Sequence, residues 1–177
     1  NMVSRIVLTG THSTGKTTLL DQLKGDNMLS SYMFLTEVTR DLEKRGLSIN
    51  ERGTDETQIT IACQHYLNLL YNQSIADRCM IDCMAYTEWL FLNSKVTEET
   101  YKYVTWLFTL SLPKYTTIFY LPSEIPLVDD GVRSMSHEFR NEVEEIFEKL
   151  INTYSIPVVR LTGSVQNRTQ ILNNYIL

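Results

Sequence analysis

Apolar positions along this chain fall into short unbroken runs separated by longer stretches in which they recur every three or four residues. Residues 3–8 are apolar apart from Ser4 and Arg5, with Val3, Ile6 and Val7 β-branched, and they end at Thr9-Gly10. After Gly15, Leu19, Leu20 and Leu23 take helical spacing until Gly25 closes the turn, so this segment reads as strand, loop, helix. A second strand is expected at 33–35, followed by the polar cluster Thr36-Glu37-Val38-Thr39-Arg40. Residues 41–54 are polar and hold Gly46 and Gly53, which predicts a broken helix and a loop. Thr54 is placed to cap a long helix with Asp55 and Glu56 in its first turn and Ile59, Ala62, Tyr66, Leu69 and Leu70 on its apolar face.

Further along, the apolar run Cys79-Met80-Ile81-Asp82 predicts a third strand, with helices at 85–92 and, after a Thr97 cap, at 98–110. A fourth strand is expected at 117–121, closed by Pro122, and a polar connector at 127–133 leads into the most regular helix. There Phe139, Val143, Ile146, Phe147, Leu150, Ile151 and Tyr154 form one stripe, which is core rather than a cofactor site. A fifth strand at 157–161, the turn at Gly163 and a closing helix at 165–176 complete the pattern. Short apolar strands alternating with helices predict an α/β fold, a mostly parallel sheet covered on both faces, with ligands at the carboxyl ends of the strands.

At 177 residues and 43% hydrophobic content the chain is expected to form one domain, 1–177, with its own core. A net charge of -5 argues against a broad basic surface for nucleic acid and favours a small substrate, without excluding DNA. Cys63, Cys79 and Cys83 make no metal-ligand pattern with the three histidines and are expected to be reduced core thiols. No targeting or membrane segment is read, so a cytoplasmic protein, monomer or homodimer, is expected.

The chemistry concentrates in Gly10-Thr11-His12-Ser13-Thr14-Gly15-Lys16-Thr17, a G-x-x-x-x-G-K-[ST] match lying between a predicted strand and a predicted helix. Glycines let such a loop wrap phosphate oxygens, while backbone N–H groups and the helix start supply partial positive charge. Lys16 is expected to reach the β- and γ-phosphates of ATP, Thr17 to hold Mg²⁺, and Thr18 to add a hydroxyl to the α-phosphate. Asp82, at the end of the expected third strand, is the candidate Walker B-type carboxylate, the alternative being a helix cap.

Cys83 occupies the position where many motor ATPases keep a catalytic glutamate, and no Asn-Lys-x-Asp run is present. Both features favour transfer to an acceptor over hydrolysis. Glu37 is a candidate base and Arg40 a candidate clamp for an anionic acceptor, against the alternative of an exposed ion pair. Asp77-Arg78, just ahead of the expected third strand, reads as solvated. Arg133, in Asp129-Asp130-Gly131-Val132-Arg133, sits where a lid at about 122–135 would deliver an arginine to the migrating phosphoryl group. Asp130 is a candidate acceptor ligand or a loop residue, Arg140 reads as helix surface, and Arg168 either supports a nucleobase or is solvated.

Together these residues resemble the P-loop kinases grouped with the ribosylnicotinamide kinase domain of NadR-like proteins, a family that includes phage enzymes. The matching pieces are Thr9-Gly10 through Thr18, residues 36–40, the helix at 55–71, Met80-Ile81-Asp82 with Ala85-Tyr86, 129–133 with Glu138-Phe139-Arg140, and Leu161-Thr162-Gly163 with Arg168. The resemblance implies a three-layer nucleotide-kinase fold, five-stranded with order 2-3-1-4-5, with Asp82 and Glu37 near the acceptor and Arg133 on the lid. It implies an ATP-dependent phosphotransferase acting on a nucleoside-type hydroxyl, free or as 5-hydroxymethyldeoxyuridine in phage DNA, which would place it in host cytoplasm. The layout is also similar to thymidylate kinases, but Asp82-Cys83 departs from their Asp-Arg pair. A P-loop NTP hydrolase working with a protein partner is the alternative, and a nucleotide-binding module without turnover is a third reading.

Overall fold

Parallel strands cannot be joined by tight turns, and every consecutive pair in this chain is connected through at least one helix. The computed structural model describes residues 2–12, 14–36, 38–124 and 134–176, apart from the side chains of 134–136. Five strands, β1 (Ser4–Thr9), β2 (Met33–Leu35), β3 (Gln73–Asp77), β4 (Thr117–Tyr120) and β5 (Val158–Arg160), form one parallel sheet in the order β2-β3-β1-β4-β5. This is the order 2-3-1-4-5 expected from the family resemblance.

Seven helices occur among the described residues: α1 (Lys16–Lys24), α2 (Val38–Lys44), α3 (Asp55–Asn68), α4 (Met80–Leu92), α5 (Glu98–Ser111), α6 (Ser134–Thr153) and α7 (Val165–Ile176). The two-residue period of β1 divides them into layers. Ile6 and Leu8 pack with Leu19, Leu20 and Leu23 of α1 and Leu172 of α7, whereas Val7 faces the core built from α3 to α6. Thr54 and Thr97 cap α3 and α5 as their positions predict, each accepting a bond from the backbone N–H three residues on.

The third strand is displaced from its expected place. It runs Gln73–Asp77, in register with Ser4–Leu8 of β1, and residues 79–82 instead open α4. A short apolar run does not distinguish a buried strand from a buried helix. Here eleven of the thirteen residues of α4 are buried, because the sheet, α3, α5 and α6 surround it, so its sequence shows no polar face and only Asp82, Thr87 and Glu88 interrupt its apolar character. Asp82 is therefore in the first helical turn, where it accepts from the Cys79 backbone N–H at 2.8 Å. The carboxylate that ends β3 is Asp77, followed by Arg78.

Candidate active site

β1 delivers the chain to the phosphate-loop motif at a point where only glycine fits. A Cβ on Gly10 would lie 2.5 Å from the Leu121 carbonyl oxygen, and its φ of +143° is one that other residues avoid. Gly15, at φ +94°, is the N-cap of α1 and supplies no side-chain cap, so the first N–H groups of the helix are left for another acceptor. Lys16 folds its ammonium back into the loop, donating to the carbonyl oxygens of Gly10 (2.8 Å) and Thr11 (2.6 Å) and to Thr14 Oγ1 (3.2 Å). Burial, with Arg78 adding to it, pulls the Lys16 amine down to about 8.

The loop forms one wall of a cleft of about 420 Å³ at the carboxyl ends of β1, β2 and β3. His12, Thr14 to Thr18, Asp77 and Arg78 line it from one side; Thr36, Thr39 and Arg40 line it from the other. Thr17 Oγ1 donates to Asp77 Oδ2 at 2.9 Å, bringing a hydroxyl and a carboxylate to one point beside the loop. Arg78 takes a left-handed backbone, φ +72°, and among the described residues no carboxylate lies within ion-pair distance of it. Its guanidinium lies 5.9 Å from the Tyr86 ring centre, and its charge is felt throughout the site. Burial first, then Arg78, Lys16 and Arg140, lower the His12 imidazole to about 4. An anion entering here meets several cations that repel one another.

Asp82 has a different place from the one expected. It is 2% exposed and accepts from Thr9 Oγ1 (2.7 Å) and the Cys79 N–H (2.8 Å) on Oδ2, and from the Gly10 N–H (3.2 Å) on Oδ1. It ties the floor of the loop to α4. Burial raises its pKa, opposed by Lys16, Arg78 and these donors. Arg168 is not solvated: it reaches across from α7, donating to the Thr14 carbonyl at 2.6 Å and pairing with Glu124 at 3.0 Å. Arg140, read as helix surface, is buried instead. Arg40 is exposed on the cleft rim. Ser13, Glu37, Asp129, Asp130, Gly131 and Arg133 lie outside the described residues.

Asp77 and Arg78, expected to be solvated, line the cleft instead, their signal being the Asp-Arg pair itself; Tyr86, named only within the family resemblance, also belongs to the site. The Asp-Arg pair found missing at Asp82-Cys83 is present at the end of the true third strand. Tyr86 carries a hydroxyl into the base of the loop, accepting from the His12 N–H at 3.2 Å. A separate small cavity of about 20 Å³ is lined by Gln58, Ile61, His65, Arg78, Asp82 and Tyr86, so Arg78 borders both spaces. Cys83 is buried, with its thiol pushed up to about 12, and all three cysteines are free.

Comparison with known proteins agrees with this fold. The family described as AAA domain matches residues 5–168. No curated protein matches the sequence. Among solved structures, NadR protein in complex with NR superposes with a TM-score of 0.71 at 20% identity, over 98% of this chain and 52% of NadR. The chain thus spans about half the length of NadR. Deoxyadenosine kinase from M. mycoides with bound dATP superposes with a TM-score of 0.69 at 15% identity, over 98% of both chains. YorR protein from Bacillus subtilis in complex with phosphorylated GDP follows at 0.58 and 13% identity, over 98% of this chain and 95% of YorR. The shared feature is the P-loop kinase fold.

Proposed function

Because the chain belongs to the AAA domain family, we propose that it is an ATP-dependent phosphotransferase whose acceptor is a hydroxyl of a nucleoside-type molecule. The observation that carries this reading is the contact of Thr17 with Asp77 at 2.9 Å, beside the Lys16 loop and in front of Arg78. A hydroxyl and a carboxylate oxygen are the hard donors that Mg²⁺ takes. Among the described residues no group of three or more His, Cys, Asp or Glu would hold a metal alone, so oxygens from a bound phosphate would complete the set. When bound, Mg²⁺ would supply neutralisation of the charge shared by the β- and γ-phosphates.

The chain's own groups then have distinct tasks. The loop N–H groups and Lys16 hold the polyphosphate, with Thr18 at its α end. The acceptor oxygen bonds to the γ-phosphorus as the bond from that phosphorus to the bridging oxygen breaks, and ADP leaves. Glu37 takes the acceptor proton. Arg78, and Arg133 brought by a lid at about 122–135, stabilise the equatorial oxygens; Arg40 and Asp130 orient the acceptor. Asp82, with both oxygens already accepting bonds, serves the loop rather than the proton.

Transfer is favoured over hydrolysis by the residue after the strand-end carboxylate. After Asp77 this is Arg78, which, like Cys83 after Asp82, is no water-activating glutamate. A cleft of about 420 Å³ and a net charge of -5 suit a small acceptor; 5-hydroxymethyldeoxyuridine within DNA is the larger alternative. Incubation with labelled ATP and Mg²⁺ against free nucleosides, nucleoside monophosphates, nicotinamide riboside and DNA carrying 5-hydroxymethyluracil tests this. Label on an acceptor is the expected result and identifies the acceptor. Free phosphate alone, dependent on an added protein, would replace the proposal with a partner-coupled hydrolase.

A further inference from the structure

His12 stands inside the phosphate loop, yet none of the roles above uses its side chain. Its surroundings fix the imidazole unusually well. One face stacks on Phe139 of α6, centroids 5.9 Å apart and planes 22° from parallel. Its Nδ1 lies 3.0 Å from the Tyr86 hydroxyl, which also accepts the His12 backbone N–H at 3.2 Å. Among the described residues His12 Nδ1 is the only acceptor within hydrogen-bond distance of Tyr86 Oη, so the single proton of the hydroxyl points towards it. Tyr86 keeps that proton, since burial raises its pKa, and the imidazole it faces is neutral. Nδ1 is therefore the acceptor and Nε2 carries the hydrogen, on a ring that lines the phosphate cleft.

We infer that the His12 Nε2–H, oriented by Tyr86 and Phe139, donates a hydrogen bond to a non-bridging oxygen of the phosphoryl group being transferred. The position of His12 selects the terminal phosphate. The N-terminus of α1 and Thr18 occupy one end of the loop, whereas His12 lies at the other, against α4 and α6 and beside Arg78. A neutral donor held rigid there interacts with charge that grows during transfer, without adding a further repelling cation to Lys16, Arg78 and Arg140. Tyr86 is by this account a positioning residue, and His12 a catalytic one.

The inference rests on the kinase reading, and the two are separable by experiment. The chain has three histidines, so imidazole signals in a ¹⁵N-histidine sample are assigned by their loss in H12Q. Long-range ¹H–¹⁵N correlation should show His12 as the Nε2–H tautomer, with Nε2 shifting on addition of Mg²⁺ and a non-hydrolysable ATP analogue but not with ADP. An Nδ1–H tautomer, or equal shifts with both nucleotides, overturns the inference while leaving nucleotide binding intact. No calorimetric binding of either nucleotide overturns the kinase reading and this role together. In turnover, glutamine places its amide N–H near Nε2, whereas asparagine reaches only the Nδ1 position. H12N should lose about 100-fold in kcat with KM for ATP changed little, and H12Q should recover most of that loss. Equal losses in the two variants would mean that Nε2 is not the group at work.

Discussion

Replacing Asp82 by alanine should damage the fold more directly than the chemistry, and the size of the effect follows from its three bonds. Thr9 Oγ1 and the backbone N–H groups of Gly10 and Cys79 all donate to this carboxylate at 2.7 to 3.2 Å. Hydrogen bonds to a charged acceptor contribute roughly 1.5–3 kcal/mol each, and the donors are stranded when it goes. Against this stands the cost of keeping a carboxylate 2% exposed, which its raised pKa records and which is several kcal/mol. The balance is a net loss of about 3 kcal/mol. D82N should lose less, because one oxygen still serves Thr9 and Cys79 while the amide turns an N–H towards that of Gly10; one stranded donor costs about 1–3 kcal/mol. Urea unfolding reads both. With a slope near 2 kcal/mol/M, the D82A midpoint should fall by about 1.5 M. D77N is the control: Asp77 bonds Thr17 across an open cleft, so its loss should move the midpoint little while abolishing Mg²⁺-dependent turnover. A D82A midpoint within about 0.3 M of the parent, a shift worth under 1 kcal/mol, would refute the account of Asp82 as the anchor of the loop.

Other outcomes follow from the same geometry. Because the Lys16 amine is lowered to about 8, it is partly neutral above that pH, and a bound polyphosphate should raise its pKa. ATP affinity should then fall as pH rises above 8, and calorimetry in two buffers of different ionisation enthalpy at pH 8.5 should show proton uptake on binding; uptake unchanged in K16M would refute this. For stability the sign is opposite: a lysine whose folded pKa lies below its unfolded value of 10.5 stabilises most above 10.5, and that contribution is lost as pH falls through about 8. G10A should destabilise by about 2 kcal/mol or more in thermal unfolding, since the Leu121 carbonyl 2.5 Å from the added carbon is backbone and cannot move aside. R168K keeps charge but cannot hold the Thr14 carbonyl and Glu124 together, so Kd for ATP should rise about tenfold; an unchanged Kd would make that bridge incidental.

The phosphate loop, the α/β class and most helices were legible in the sequence because each rests on local rules. Glycine spacing marks the loop, threonine caps mark α3 and α5, and the stripe from Phe139 to Leu150 marks α6. The third strand was not legible, because both candidates obeyed the wrong rule for what they are. Gln73–Asp77 carries only Ile75 and Ala76 as apolar residues, yet it is paired on both sides at the centre of the sheet. The run from Met80 to Leu90 is mostly apolar, and even its polar residues Asp82, Thr87 and Glu88 are buried, because tertiary packing encloses it; periodicity is silent for a helix buried on all faces. That one displacement carried Asp82 away from the strand end and hid Asp77 and Arg78. The burial of Arg140 and Arg168 was hidden for a related reason: helix-surface arginines and buried ones look alike until the other elements are in place.

What the corrected fold makes plain is that the loop is held from three directions by residues far away in the chain. Asp82 grips Thr9 and Gly10 from α4, Tyr86 holds the backbone of His12 one turn further along the same helix, and Arg168 holds Thr14 from α7. A glycine-containing loop with an ammonium folded into it would otherwise pay ordering entropy whenever a phosphate bound. Rigid braces pay that cost once, during folding, so binding energy is left for the polyphosphate. Two of the three braces come from the helix directly after β3, whose end carries Asp77 and Arg78. The strand that places Asp77 and the helix that stiffens the loop are thus joined by only two residues, Arg78 and Cys79, and a shift in either would be felt by the other. This coupling is how Asp82 would govern the site without touching what the site binds.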